Sequence, residues 1–138
     1  MSEISVSGSC LCGAISYSAT GQANKFWHCH CGRCRKSSGT GHASNILMRP
    51  DTFEWSAGED LLRSFQVPDA RLFRTVFCSI CGSPMPRVAP DASFALIPAG
   101  SLDNDPGIRP NGRIYQDSRT DWSCDDSKLP LYETYPRR

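Results

Sequence analysis

Seven cysteines fall into three short groups, and this spacing constrains the fold more than any other feature of the chain. The groups are Cys10-Leu11-Cys12-Gly13, Cys29-His30-Cys31-Gly32-Arg33-Cys34 and Cys78-Ser79-Ile80-Cys81-Gly82. A tetrahedral zinc ion with sulfur about 2.3 Å away is well served by two ligands on one tight turn and two from another turn brought close by folding. Glycine after the last cysteine of a turn permits positive φ and close backbone approach. Cys12-Gly13 and Cys81-Gly82 have it, and Cys31-Gly32 repeats the device inside the second group. A disulfide framework fits these residues less well. Cys10/Cys12 and Cys29/Cys31 are each separated by one residue, so a bridge within either pair would be strained. The N-terminus, Met1-Ser2-Glu3-Ile4-Ser5, lacks the basic start and apolar run of a secretory signal. The expected location is cytoplasmic, where thiols stay reduced.

Seven sulfurs divide as four plus three. Structural zinc sites close with four protein ligands, and catalytic sites keep one position open with three. The contiguous trio Cys29, Cys31 and Cys34 can form a three-sulfur site by itself, which leaves Cys10, Cys12, Cys78 and Cys81 for a closed one. Spacing leaves other partitions open, with His28 or His30 as a fourth ligand of the second site. Cys124 stands alone.

The remaining sequence narrows the fold class. The 138 residues fit a single domain, 1–138, with a modest core. Ten prolines and eleven glycines interrupt any long helical period. Ala14–Ala19 alternates apolar and polar and reads as a half-buried strand. Phe26–His28, Phe53–Trp55, Leu61–Gln66, Leu72–Phe77, Phe94–Ile97 and Arg113–Tyr115 read as further strands, with Ala43–Met48 as another that Pro50 stops. Cys34–Ser38 reads as a short helical turn, and Leu129–Tyr135 as an extended tail across the domain. Many short strands punctuated by turns predict a mainly β fold of packed sheets. Fifteen basic residues against fourteen acidic ones give a net charge of +1, which argues against a nucleic-acid partner. No apolar stretch of about 18 residues predicts a membrane span.

The three cysteine groups, with Gly8-Ser9 before the first, Arg35-Lys36 and Gly39 after the second, and Phe77 before and Ser83-Pro84 after the third, carry a resemblance. Together with Ala99-Gly100-Ser101-Leu102-Asp103 and Trp122, they resemble the glutathione-dependent formaldehyde-activating enzyme and centromere protein V family. The resemblance runs from about Gly8 to Pro136. It implies a β-tent of packed antiparallel sheets. It also implies a structural zinc on Cys10, Cys12, Cys78 and Cys81 and a second, open zinc on Cys29, Cys31 and Cys34. The activity it implies joins glutathione, or a related thiol, to formaldehyde or another small aldehyde as a carbon–sulfur lyase.

An open position suits that chemistry, because soft thiolate ligands favour zinc and a substrate thiol is a natural fourth ligand. The catalytic candidates are therefore Cys29, Cys31 and Cys34. Arg33, Arg35 and Lys36 are candidates for binding the carboxylates of the thiol, against the plainer reading of a solvated loop. His30 lies between two ligands as a candidate proton carrier, but side-chain alternation favours its pointing away. His42 reads as a structural histidine, Asp103 as a turn residue, and Trp27, Trp55 and Trp122 as core or rim aromatics. Two rival functions stand beside catalysis: a noncatalytic zinc-binding module, and a thiol or metal sensor that releases zinc on oxidation.

Overall fold

The structure is a computed structural model that describes residues 2–123 and 126–136; Cys124 lies outside them. Two long antiparallel strands form its centre, β2 (Ser16–Cys29) and β3 (Ala43–Ala57). The sequence had suggested two separate strands in each. β3 does not stop at Pro50, because Pro50 stands opposite Gly21 next to a register shift at Thr20/Gly21. A proline is tolerated where a bulge interrupts the ladder. Gly21 lets the strands approach there, since a Cβ on it would lie 2.2 Å from the Arg49 carbonyl oxygen.

β1 (Ser2–Ser9) was missed from the sequence. It pairs antiparallel with the first half of β2 and buries Ile4 and Val6. Its outer edge is covered by one loop. The Asp103 amide donates to the Ser7 carbonyl, the Ser7 amide to Asn104 Oδ1, and Asn104 Nδ2 to the Ser5 carbonyl. Covering the edge in this way blocks its pairing with another chain. The α-helix α1 (Gly32–Ser38) lies between β2 and β3 and begins two residues earlier than expected. β4 (Leu62–Gln66) and β5 (Arg74–Cys78) form a separate two-stranded antiparallel sheet. β6 (Arg87–Val88) and β7 (Ala95–Pro98) extend the main sheet beyond β3. β8 (Gly112–Ile114) runs parallel to the end of β2, an exception to the antiparallel pattern. The order is β1-β2-β3-β7-β6, with β8 on β2.

The period-two pattern of the central strands gives the sheet two different faces. Ile46, Met48, Ala95 and Ile97 point into the main core with Ile4, Val6, Tyr17 and Phe26. Fully burying one such aliphatic side chain contributes about 1.5–3 kcal/mol. Cys29, Ala43, Asn45, Leu47 and Leu96 take the alternate positions and form the floor of a cleft. The β4–β5 hairpin forms its opposite wall through Phe73–Phe77. A second small core, Cys10, Ile15, Cys78 and Met85, sits at the hairpin base. The expected C-terminal extended tail forms no strand. After a short turn at Asp126–Lys128 its apolar side chains stay exposed, Leu131 at 94% and Tyr135 at 82%. No helix among the described residues is long and apolar enough to cross a membrane.

Candidate metal centres

The first cysteine turn follows β1 and the third follows β5, and the fold places them side by side. In the first, the Gly13 amide donates to the Cys10 carbonyl with Gly13 at φ 81°. In the third, the Gly82 amide donates to the Cys78 carbonyl with Gly82 at φ 77°. Both glycines occupy the left-handed region that disfavours other residues. Gly32, read as a third such glycine, instead opens α1 without positive φ. Ser83 ties the turns together. Its hydroxyl accepts from the Leu11 amide at 3.0 Å and lies 3.2 Å from Cys81 Sγ.

The sulfurs of Cys10, Cys12, Cys78 and Cys81 all lie within 4.8 Å of one another. Cys10 and Cys12 are 3.6 Å apart, and Cys12 and Cys78 are 3.9 Å apart. Sulfurs at the corners of a tetrahedron with bonds of about 2.3 Å stand about 3.8 Å apart, so the spacing fits zinc. The surrounding amides fit it too, because Ile15 donates to Cys10 Sγ and Ile80 to Cys78 Sγ, as thiolate acceptors require. Without a cation, four such thiols cannot all be ionised. The Ser83 hydroxyl and amide hold Cys81 down to about 5. The Ala14 amide favours the Cys12 thiolate, but desolvation and the other three sulfurs push that thiol up to about 11. A divalent ion removes this conflict by coordinating every sulfur as thiolate.

The second group is built differently. Cys29 ends β2, Cys31 is the N-cap of α1, and Cys34 lies in the first turn of that helix. Cys31 Sγ accepts from the Cys34 amide at 3.3 Å, and Gly39 closes the helix at φ 73°. The three sulfurs lie within 4.8 Å of one another, with Cys29 and Cys34 buried and Cys31 half-buried. Burial, then the adjacent Cys29 and Cys31 sulfurs, pushes the Cys34 thiol up. These residues also fit zinc, with three ligands from the chain. All three line the cleft, whose cavity volume is about 1350 Å³. Among the described residues, no other group of three or more metal-ligating side chains comes together in this way.

The nearby residues separate by position. Arg33 lines the cleft, whereas Arg35 and Lys36 do not. Arg35 is half-buried and its Nε has no hydrogen-bond partner; Lys36 is exposed. His30 points away from the cleft and is 4% exposed, and neither ring nitrogen makes a hydrogen bond of normal geometry. Burial, then His42, Arg113 and Arg119, holds it below its ordinary value, with the Gly41 backbone opposing. His42, read from sequence as structural, lines the cleft. It stacks on His28 at 4.0 Å, and its Nδ1 lies 3.4 Å from Ser44 Oγ. Trp27 lines the cleft, Trp55 packs between the two cores, and Trp122 is exposed. Asp103 is a cleft residue that accepts from Ser9 Oγ at 2.8 Å. Arg74 and Arg87, which no local motif singled out, also line the cleft.

Comparison with known proteins gives a family and a fold. A family model described as glutathione-dependent formaldehyde-activating enzyme matches residues 5–118. The crystal structure of a protein from Rhodobacter sphaeroides is similar, with a TM-score of 0.56 and 18% identity, covering 78% of this chain and 98% of that one. At that identity the likeness establishes the fold alone. No curated protein sequence matches the chain.

Proposed function

The chain belongs to the glutathione-dependent formaldehyde-activating enzyme family, and from that premise we propose that it is a zinc-dependent carbon–sulfur lyase joining a thiol such as glutathione to a small aldehyde. The observation that carries this reading is the pair of unequal sulfur clusters. Four sulfurs converge beneath the hairpin, while three converge on the floor of a cleft large enough for a peptide thiol. The quartet is the structural site and the trio the open one. Cys29, Cys31 and Cys34 would hold the zinc ion, which when bound would coordinate an incoming thiol and favour its deprotonated form near neutral pH.

The substrate sulfur gives up its proton and bonds to the carbonyl carbon, and the displaced π pair becomes an alkoxide that takes a proton. No redox change occurs, and the product is a hemithioacetal. The cleft walls hold the two reactants together and exclude water from the adduct. Arg33 attracts the anionic thiol from the rim of α1. Of the three histidines only His42 lines the cleft, and an imidazole ring can both accept and donate a proton. It carries the proton from sulfur to oxygen, with Ser44 steadying its ring.

The test is exchange between free formaldehyde and its glutathione adduct, followed by nuclear magnetic resonance. The protein is expected to accelerate exchange well above the spontaneous rate across a panel of thiols and aldehydes, in proportion to protein concentration. Exchange at the spontaneous rate with every pair would refute the lyase assignment. His42→Gln is expected to lower kcat by about 10²-fold, within the usual range for one proton-transferring group, with metal content unchanged. Steady-state kinetics and zinc analysis on the same preparation check it.

A further inference from the structure

Arg74 and Arg87 are two cations on one cleft without an acid to neutralise them. Among the described residues neither makes an ion pair, and the described ion pair, Arg109–Asp105, belongs to a different loop. Asp103, the one carboxylate among the described lining residues, is engaged by the Ser9 hydroxyl. The cleft therefore presents Arg33, Arg74 and Arg87 against a single acid.

Arg87 is also held in place. It starts on β6, part of the floor sheet, and its Nη1 donates to the Leu72 carbonyl at 2.9 Å, in the loop that joins β4 to β5 on the opposite wall. Its guanidinium lies 5.5 Å from the centre of the Phe94 ring. One of its five donors is thus used for positioning and the rest of the fork stays available, the geometry that suits a carboxylate. Burial, then the neighbouring Arg74, disfavours its charged form. Folding thus brings two guanidinium groups together against their own repulsion.

The ladder gives the distance to the sulfur trio. Arg87 pairs with Leu96, Leu96 with Leu47, and Leu47 with Lys25 on β2, four residues before Cys29. Four residues along a strand and three strands across place the Cys29 and Arg87 backbones roughly 19 Å apart. In an extended tripeptide whose thiol is on the central residue, sulfur and a terminal carboxylate stand about 7 Å apart, and the Cys29 and Arg87 side chains, both on the cleft, span the remainder.

We propose that Arg74 and Arg87 form the carboxylate-binding subsite for the thiol substrate, selecting an acidic peptide thiol whose sulfur reaches Cys29, Cys31 and Cys34. This rests on the lyase reading for the identity of the ligand, but its test does not need the reaction. S-methylglutathione keeps both carboxylates and has no free thiol, so its binding reports the subsite without metal coordination or turnover.

Calorimetric titration of the zinc-loaded protein with S-methylglutathione is expected to show binding that Arg87→Gln weakens about tenfold and Arg74→Gln several-fold, the scale of a charge-assisted hydrogen bond. The double variant should bind no better than wild type binds the diethyl ester of the same ligand. Arg87→Lys keeps the charge without the fork and should fall between wild type and Arg87→Gln. Arg109→Gln, in the separate ion pair, should bind as wild type. Should Arg87→Gln lower the melting temperature, Arg74→Gln and Arg87→Lys carry the comparison. Unchanged affinity in folded variants, equal affinity for acid and ester, or no binding to wild type would each overturn the subsite. Binding that behaves as expected in a protein without exchange activity would instead overturn the lyase reading and leave the subsite standing.

Discussion

Cys12→Ser is expected to leave the chain largely unfolded, although Cys12 is solvent-exposed. An exposed side chain away from any special feature changes stability by only about 0.5 kcal/mol when replaced. A ligand of a structural zinc is different, because the metal-binding free energy is folding free energy. For zinc-finger peptides it amounts to about 10–16 kcal/mol, comparable to the whole stability of a domain, about 5–15 kcal/mol. Cys78→Ser should do the same, but Cys78 is fully buried in the second core, so its loss mixes packing with ligation. Exposure makes Cys12 the sharper test. Circular dichroism and zinc analysis of the purified variant are the readouts. A Cys12→Ser protein with wild-type zinc content and melting temperature would exclude the quartet as a structural site.

The second large effect is expected at the trio, with the opposite outcome for the fold. The double replacement Cys31→Ser/Cys34→Ser should return thiol–aldehyde exchange to its spontaneous rate and reduce zinc to one equivalent, with secondary structure retained. The helix should survive because serine is a favoured N-cap and can accept the amide hydrogen bond that Cys31 Sγ now takes from Cys34. Cys34 is buried, so some loss of melting temperature is expected there. The trio lies outside the small core beneath the quartet. Exchange activity that persists in the double variant would remove the trio from the chemistry.

The sulfur clusters were legible in the sequence because each cysteine pair is local, and a local turn fixes its own geometry. The pairing of the first turn with the third rested on counting and on the family resemblance. The structure brings those two turns within sulfur contact. The alternating strands were legible for the same local reason, but their lengths were not. Pro50 reads as a stop until Gly21 is known to stand across from it, and that pairing spans some thirty residues of sequence. β1 was hidden among serines, although Ile4 and Val6 already alternate.

The cleft itself was not legible. Sequence proximity to the trio suggested Arg35 and Lys36, but α1 carries them off the cleft and leaves only Arg33 on it. Arg74 and Arg87 lie some forty to sixty residues from the trio and reach the same space only through the hairpin and the β7–β6 pairing. His42 reads as structural in the sequence because its surroundings come from β2 and the cleft, not from its sequence neighbours.

Stepwise metal removal distinguishes most directly one closed site and one open site in the same chain from a single class of site. The zinc-loaded protein is treated with chelators of increasing strength, with released zinc followed by a colorimetric indicator and structure by circular dichroism on the same sample. The trio has one fewer protein ligand and faces the cleft, so a mild chelator should release one equivalent and leave a folded, inactive protein. A stronger chelator should then release the second equivalent together with the fold. Added glutathione should slow only the first step, because a ligand that binds the loaded state stabilises it by mass action. Loss of all metal in a single step that coincides with unfolding would contradict the division into four sulfurs and three.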